Sequence, residues 1–348
     1  LIQDSPGVYH WQGKAVYAIE VATLSDGIPD LSTSGSQVWK YDSGAQANSY
    51  YLWYAIPSDI TVLDSNFDGY VDRLYVGDLG GRMWRFDVGD TSTANWTGKV
   101  IYYVNSGEKI FYRPSVTLEA GYTFVFFGTG DREHPLNRHS LLKNRMIALK
   151  DRNQANFAVG PANLLDVTSN LLQTDTATAA QISTTLNTLN SDTNYGWYVF
   201  LDGKDRDPVN GEFGEKVLAS PLAFNKVAYY TTYTPNAVVS ADPCQPGNLG
   251  KSRLYALNYK TGEAILNFNK TNDSSVDSVT NVRAVNKQRK VLRRVDRSID
   301  LGVGIPSGLV IVMPPGGDAE ILIGCGGGLC SEDPLMGGTI IPIYWMQW

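Results

Sequence analysis

The stretch with the clearest chemistry runs from residue 64 to residue 72 and reads DSNFDGYVD. Its oxygen-bearing side chains stand at positions 1, 3, 5 and 9 of a calcium-binding loop, at Asp64, Asn66, Asp68 and Asp72. Gly69 occupies position 6, where such a loop turns sharply, and the carbonyl of Tyr70 at position 7 is the natural backbone ligand. Because Ca²⁺ takes about six to eight oxygen ligands, this spacing predicts a calcium site.

Two features separate this loop from a helix–loop–helix site. Position 12 is Tyr75 and not the usual bidentate Glu, so we expect water or a distant residue to complete the coordination. The flanking residues 60–63 and 74–76 are rich in β-branched and aromatic side chains and alternate as strands do. We therefore predict that the loop connects two strands. The alternative is a turn rich in Asp and Asn that binds no ion.

The composition favours β-structure and limits the classes of partner. The 348 residues include 34 Gly, 20 Tyr and 8 Trp, which suits short strands and tight turns. A formal net charge of −6 argues against non-specific binding to nucleic acid. No apolar run approaches the ~20 residues of a transmembrane helix. Since the sequence starts at Leu1 without a signal peptide, we expect a fragment or a processed product.

Strand–turn–strand units recur along the chain. Residues 81–87 lead into 99–103, and residues 253–259 lead through a turn at 260–262 into 265–268. The other strand-like segments are 15–21, 38–42, 122–130, 145–151, 216–221, 226–232, a pair at 309–313 and 320–324, and a closing strand at 340–345. This pattern is typical of the blades of a β-propeller, and its uneven spacing requires long insertions.

Two segments interrupt the strand pattern. Residues 161–192 indicate one or two short helices, and residues 269–298 are polar. The second segment contains a basic cluster, formed by Arg289, Lys290, Arg293, Arg294 and Arg297. The cluster is either a solvated face or a contact for an acidic partner or surface polysaccharide. We expect residues 1–348 to form one propeller domain with insertions near 161–192 and 269–298.

The cysteines leave several pairings open. Cys325 and Cys330 are close enough in sequence for a local bridge, which would leave Cys244 unpaired, but any pairing or none is compatible with the sequence. Their presence favours an oxidising compartment.

Two further groups of polar residues suggest weaker sites. A metal site could form from Asp131, Glu133, His134 and His139, although a solvated turn is the simpler interpretation. A second oxygen-rich turn contains Asp202, Asp205, Asp207, Asn210 and Glu212, and is either a weak calcium site or a charged hairpin loop. No Ser/His/Asp or Cys/His arrangement and no phosphate-binding glycine loop can be recognised, so we predict a chain that is not an enzyme.

Beyond the loop, residues 75–87 read YVGDLGGRMWRFD. Together with the loop this run resembles the DxDGxxDxxYAGDLxGxxWRFD motif of the PilY/PilC proteins of bacterial type IV pili. Residues 127–131 (FGTGD), 214–218 (GEKVL) and 344–348 (YWMQW) also look like landmarks of that family. The resemblance covers most of the chain, and the first run is its most specific part.

The resemblance implies the all-β, modified β-propeller of the family's C-terminal domain, which is similar to quinoprotein propellers. It implies Ca²⁺ bound by Asp64, Asn66, Asp68, the Tyr70 carbonyl and Asp72. It also implies an extracellular protein, at the pilus tip or the outer-membrane surface, that acts in pilus biogenesis, twitching motility and surface adhesion. Calcium would regulate the extension of the pilus against its retraction. The partners would be minor pilins or the pilus-tip complex, and the protein would also contact a host or abiotic surface.

Some family features are missing from this sequence. The von Willebrand-type N-terminal domain of many members and the Arg-Gly-Asp integrin motif of some are both absent. One alternative is a non-adhesive structural scaffold in an outer-membrane assembly. Another is a quinoprotein-type dehydrogenase, but those enzymes place their quinone against a disulfide between adjacent cysteines, and this sequence has no Cys-Cys pair.

Overall fold

The computed structural model describes residues 2–5, 8–10, 13–25, 27–42, 52–104, 107–138, 142–153, 158–203, 213–236, 249–313, 319–325 and 328–332. Four features predicted from the sequence lie outside these residues: the closing strand at 340–345, the 344–348 landmark, Cys244 and His139. Most of the oxygen-rich turn after Asp202 also lies outside them.

The chain begins with three short two-stranded sheets. They pair β1 (Ile2–Ser5) with β2 (Val8–His10), and β4 (Thr23–Ser25) with β5 (Ile28–Asp30), while β3 (Ala15–Ile19) pairs with β6 (Gln37–Asp42). The next sheet is an antiparallel meander of β7 (Thr61–Leu63), β8 (Arg73–Gly77), β9 (Met83–Asp87) and β10 (Thr97–Tyr102).

Three further sheets follow in chain order. The first contains β11 (Ser115–Glu119), β12 (Tyr122–Gly128), β13 (Arg145–Asp151), β14 (Leu165–Asp166) and β15 (Gly196–Phe200). The second contains β16 (Lys216–Val217), β17 (Leu222–Phe224), β18 (Val227–Thr234), β19 (Lys251–Asn258) and β20 (Ser298–Val303). The third contains β21 (Leu309–Val312), β22 (Glu320–Cys325) and β23 (Gly328–Glu332).

The central strands of the first two of these sheets, β12, β13, β18 and β19, are buried on both faces. Because successive side chains of a strand point to opposite sides, Phe124 and Phe126 of β12 pack toward the sheet of β18 and β19. Val125 and Phe127 of the same strand pack toward the sheet of β8 and β9. Strand β18 divides its side chains in the same way between the sheets on its two sides. Each core therefore lies between two consecutive sheets.

Edge strands of neighbouring sheets also contact one another. The Thr61 hydroxyl of β7 donates to the carbonyl of Pro114, directly before β11, at 2.5 Å. The amide of Ala223 in β17 donates to the Ser115 hydroxyl of β11 at 3.1 Å. Sheets that pack face to face in chain order, with one edge strand of each side by side, form a propeller-type arrangement. The predicted all-β, modified β-propeller is confirmed.

The helical elements fall in the two predicted insertions. Residues 161–192 contain 3₁₀ turns at Pro161–Asn163 and Leu171–Gln173 and the helix α1 (Ala179–Asn190), which begins with a capping box of Thr178 and Gln181. Residues 269–298 contain 3₁₀ helices at Lys270–Ser278, Val282–Ala284 and Arg294–Arg297. A further 3₁₀ turn lies at Thr93–Asn95. The assignment of residues 1–348 to one domain stays a prediction.

The predicted strand at 265–268 is wrong. After β19 the chain turns at Gly262, whose φ is +70°, and pairs only Leu257 with Ala264 before it enters the 3₁₀ helices. Strand β20, which comes about 40 residues later in sequence, takes the edge of β19 instead. Ile265 and Phe268 are apolar because they pack against the core beside β22, and not because they form a strand.

The basic cluster of the second insertion is not an exposed basic face. Arg297 is 1% exposed and donates to the carbonyls of Thr168 and Val167 at 3.0 and 2.7 Å. Three other members form ion pairs within the chain: Arg293 with Asp175, Arg294 with Asp202, and Lys290 with Asp273. Arg293 and Arg297 tie the second insertion to the first, so the cluster is chiefly structural.

Cys325 and Cys330 form the local disulfide that was one of the pairings left open. The bridge joins β22 to β23, and Cys325 belongs to the core between these strands and the sheet of β18 and β19.

Candidate calcium site

The 64–72 loop connects β7 to β8, as predicted. The two strands pair Leu63 with Arg73, and the amide of Asp72 donates to the Leu63 carbonyl at 2.9 Å. The loop is therefore closed by the sheet itself, and its two ends are held by a strand ladder in place of two helices.

Asp64 organises the loop backbone. Its carboxylate accepts hydrogen bonds from the amides of Phe67 at 2.6 Å and Gly69 at 2.8 Å, on different oxygens. Gly69 has a φ of +90°, a left-handed conformation that glycine adopts without strain. The glycine of the motif thus makes the turn that the sequence spacing predicts, while the role of Asp64 as a calcium ligand stays a prediction.

The exposed middle of the loop is held by Asn66 and Asp68. The amide of Asp68 donates to Asn66 Oδ1 at 2.9 Å, and the amide of Tyr70 donates to Asp68 Oδ1 at 2.8 Å. Asn66 Nδ2 donates to Asp68 Oδ2 at 3.0 Å. Such local bonds give each side chain a fixed place on the loop.

Asp72 points to Ser65. Its Oδ2 accepts from the Ser65 amide at 2.8 Å and from the Ser65 hydroxyl at 2.6 Å. The hydroxyl bond is the main reason that the pKa of Asp72 lies below its usual range. Gly89 packs against this carboxylate, since a Cβ there would lie 2.6 Å from Asp72 Oδ1.

The donor set fits a hard cation. Three carboxylates, one amide oxygen and one backbone carbonyl are oxygen ligands of the type that Ca²⁺ prefers, and they come from one short loop. Within the described ranges, however, three acidic or histidine ligand atoms lie within 4.8 Å of one another only at Asp131, Glu133 and His134. The three loop carboxylates thus do not converge on one point, and each is bonded to groups of the loop itself.

Position 12 cannot supply the missing clamp. Tyr75 is fully buried, and its hydroxyl donates to Asp151 Oδ2 at 2.9 Å. It faces the core between two sheets, away from the loop. This agrees with the prediction that the loop lacks the usual ligand at that position.

Sequence reasoning missed the role of Asp78 in the motif that follows. Asp78 is buried, and it accepts from the amides of Gly80 and Arg82 and from the indole nitrogen of Trp84, at 2.8, 3.0 and 2.8 Å. Burial raises the pKa of its carboxyl group, and these bonds partly offset that effect. The GDLGG turn is therefore built around a carboxylate that is not a metal ligand. The signal in the sequence that could have indicated this is an aspartate between an apolar strand and a glycine-rich turn.

Two of the other landmark segments meet in space. Gly128 lies against Val217, where an added Cβ would come within 2.3 Å of Val217 Cγ2. The Val217 amide donates to the Thr129 carbonyl at 3.0 Å. The FGTGD and GEKVL segments thus form one junction between the sheets of β12 and β18.

The second predicted metal site contains a lysine. Lys109 Nζ lies 3.0 Å from Asp131 Oδ2 and 2.9 Å from Glu133 Oε2, and His134 Nδ1 lies 3.1 Å from Asp131 Oδ2. The ammonium group neutralises the two carboxylates, so the simpler interpretation, a polar surface turn, fits this geometry. In the other oxygen-rich segment, Asp202 pairs with Arg294.

No helix in the part of the chain that the structure describes is long and apolar enough to cross a membrane. No family model matches the sequence. The chain is 27% identical over 228 residues to the type IV pilus biogenesis factor PilY1 homolog of Xylella fastidiosa, a match that covers 60% of this chain and 14% of that protein. The chain therefore spans a small part of the length of this relative.

The fold has solved counterparts. The crystal structure of the Pseudomonas aeruginosa PilY1 C-terminal domain matches with a TM-score of 0.55 and 16% identity, over 86% of this chain and 65% of that one. A quinohemoprotein alcohol dehydrogenase from Pseudomonas putida HK5 matches with a TM-score of 0.36 and 12% identity, over 84% and 35% of the two chains. The first match shows the fold, and the second is too distant to support an argument.

Proposed function

Because the chain is related to the PilY/PilC family and has the fold of a PilY1 C-terminal domain, we propose that it acts in type IV pilus biogenesis as a calcium-binding propeller domain. It is part of a protein at the pilus tip or outer-membrane surface. There it contacts minor pilins or the pilus-tip complex, supports twitching motility and adheres to a host or abiotic surface. Calcium regulates the balance between pilus extension and retraction.

The observation that supports a calcium role is the construction of the 64–72 loop. Asp64, Asn66, Asp68, the Tyr70 carbonyl and Asp72 supply the oxygens, and Asp64 already holds the loop backbone in a turn around itself. Bound Ca²⁺ would supply the positive charge that the loop lacks, since its nearest cationic residue, Arg73, lies just outside it. Without a ligand at position 12, we expect a Kd on the order of micromolar or weaker.

We propose a binding role and not a catalytic one. The groups that could act as nucleophile or base in the landmark segments are engaged in structural bonds. Glu215 accepts from the Thr232 and Tyr255 hydroxyls, at 2.6 and 2.9 Å. Lys216 donates to the carbonyls of Asn137 and Gly214, at 2.6 and 2.7 Å.

Titration calorimetry on the purified chain tests the site. Asp64→Ala and Asp68→Ala each remove a ligand charge and should abolish calcium binding. Asp59→Ala is the matched control, because Asp59 is an exposed aspartate five residues before the loop and outside the ligand set. Calcium binding that is unchanged in both loop variants would disprove the assignment.

A second experiment separates regulation from scaffolding. Cells that carry Asp64→Ala in the full-length protein should show altered piliation and twitching, while Asp59→Ala cells should behave as wild type. Normal piliation and twitching with a loop that no longer binds calcium would favour the alternative of a structural scaffold.

A further inference from the structure

A groove of about 650 Å³ lies on the sheet of β18 and β19, away from the calcium loop. Its walls are the β17–β18 turn at 225–226, the turn after β19 at 258–265, and the segment 283–292 of the second insertion. We call it the lysine groove, after Lys226 and Lys287. Its size is within the range of small-ligand sites, about 300–1,000 Å³.

The groove is positive in a chain that is negative overall. Its charged lining residues are Lys226, Arg283 and Lys287 against a single carboxylate, Glu263. Glu263 is 6% exposed and is bound by Arg283 and by the Thr261 hydroxyl, so its charge is already matched. Two ammonium groups remain, in a protein with a formal net charge of −6.

These two lysines are exposed, and neither forms an ion pair within the described part of the chain. Glu119, which senses the charge of Lys226, already accepts from Lys260 and Tyr259, each at 2.7 Å. Both lysines are therefore available to a negatively charged ligand.

The rest of the lining is rich in amides over an apolar floor. Amide side chains line it at Asn258, Asn286 and Gln288. The oxygens of Asn258 and Asn286 accept from backbone amides, which leaves their NH₂ groups as donors. The floor consists of small and branched apolar side chains, namely Val227, Ala264, Ile265, Val285 and Leu292. Such N–H donors match the oxygens of hydroxyl groups, which are the repeating polar feature of a sugar.

The backbone at Lys226 gives an independent indication. Phe224 pairs with Val227, so Asn225 and Lys226 form a two-residue hairpin turn, with φ values of +48° and +66°. Glycine is the favoured second residue of such a turn because its φ must be positive. A lysine in this strained position, with its side chain lining a groove, is the kind of backbone outlier that indicates a functional site.

We propose that the lysine groove binds an acidic oligosaccharide. Carboxylates of uronic-acid units pair with Lys226 and Lys287, and the sugar hydroxyls bond to the amide side chains over the apolar floor. The site shares no residue with the calcium loop, so it can be tested separately from the calcium role proposed above.

Calorimetry with a hexamer of galacturonic acid tests this site in the purified chain. Lys226→Gly removes the charge and also suits the positive φ, so this variant should fold at least as well as the wild type. We expect Lys226→Gly and Lys287→Ala each to weaken binding by about tenfold or more, as expected for loss of one charge-assisted contact. Lys270→Ala, an exposed lysine of the same insertion outside the groove, is the control and should bind normally.

Two other probes define the ligand class. Maltohexaose, a neutral sugar, should bind at least about tenfold more weakly than the acidic hexamer, since it cannot pair with the lysines. Poly-L-glutamate should also bind more weakly, since it lacks the hydroxyl groups. Equal or tighter binding of poly-L-glutamate would overturn the proposal in favour of an acidic peptide. It would also be overturned by no binding of the acidic hexamer, or by binding that both lysine variants leave unchanged.

Variants of each site, measured with both ligands, test the calcium site and the lysine groove independently. Asp64→Ala should bind the acidic hexamer as well as the wild type does, and Lys226→Gly should bind calcium normally. Loss of hexamer binding in Asp64→Ala would show that the oligosaccharide is held through calcium, and this too would overturn the assignment to the lysine groove.

Discussion

Arg85 of β9 donates from one guanidinium nitrogen to both carboxylate oxygens of Asp151, at the end of β13, at 2.8 Å each. The pair joins two neighbouring sheets and is buried, with exposures of 0% for Arg85 and 5% for Asp151. The Tyr75 hydroxyl bonds to the same carboxylate. The strand that leaves the calcium loop is thus tied to the next sheet through Asp151.

Removing Arg85 should be strongly destabilising. Arg85→Met leaves Asp151 buried without its counter-charge, so we expect a loss of about 3–5 kcal/mol in the free energy of unfolding, measured by urea denaturation. Arg85→Met combined with Asp151→Leu should recover part of this loss, because no unpaired charge remains. The control, Lys40→Ala, removes an exposed pair with Asp42 and should have little effect. An equally small effect of Arg85→Met would contradict the importance of the buried pair.

Lys216 should make stability depend on alkaline pH. Burial lowers its pKa from 10.5 to about 8 in the folded protein. Between these values the unfolded chain holds a proton that the folded chain has released, so stability rises with pH; below pH 8 the full cost of burying the charge is present.

The pH effect can be measured with Lys216→Met. The stability of this variant relative to wild type should be about 1 kcal/mol greater at pH 7 than at pH 9.5, because only the wild type carries the cost of the buried charge at pH 7. Buried tyrosines do not affect this difference, because both proteins contain them. Lys270→Met should show no such dependence on pH, and a Lys216→Met difference that is constant with pH would refute the prediction.

The junction of the two landmark segments should not tolerate a side chain at residue 128. Gly128→Ala would place a Cβ 2.3 Å from Val217 Cγ2 in the middle of a packed core. We expect a cost of about 1–3 kcal/mol by chemical denaturation. Gly308→Ala is the control, because no atom lies within 4 Å of its added Cβ. Equal stability of the two variants would show that Val217 can move aside without cost.

Calcium should act on one sheet and should be preferred over magnesium. The loop offers many flexible oxygens, whereas Mg²⁺ demands a tight octahedron and keeps its waters. Hydrogen exchange should show protection by Ca²⁺ confined to roughly residues 60–90, since the ion stabilises only the ordered form of the loop. Uniform protection of every strand would mean that the ion stabilises the fold as a whole. Equal thermal stabilisation by the two ions would count against selectivity.

The features that the sequence predicted well are set by local pattern. The strands around the calcium loop and the pairing of 309–313 with 320–324, seen as Leu309 opposite Ile323, follow from alternation and turn spacing. In the loop, the turn at Gly69 follows from the spacing of the motif in the same way.

The features that could not be predicted from the sequence depend on partners that are distant along the chain. Arg297 seemed part of a basic face because its carbonyl partners, at Val167 and Thr168, lie about 130 residues away in sequence. Residues 265–268 have the composition of a strand, but β20 already occupies the edge of β19. The bond of Asp72 to Ser65 was not predicted either, because a side-chain rotamer cannot be read from ligand spacing.

The division of each central strand's side chains between two cores has a consequence for synthesis. A sheet such as that of β12 and β13 has both faces apolar, but only the sheet before it exists when it emerges from the ribosome. Its second face stays uncovered until β18 and β19 have been made. At about 5–20 residues per second the delay lasts several seconds, during which the nascent chain exposes Phe124, Phe126 and Trp197. Chaperone capture during translation should therefore recur sheet by sheet.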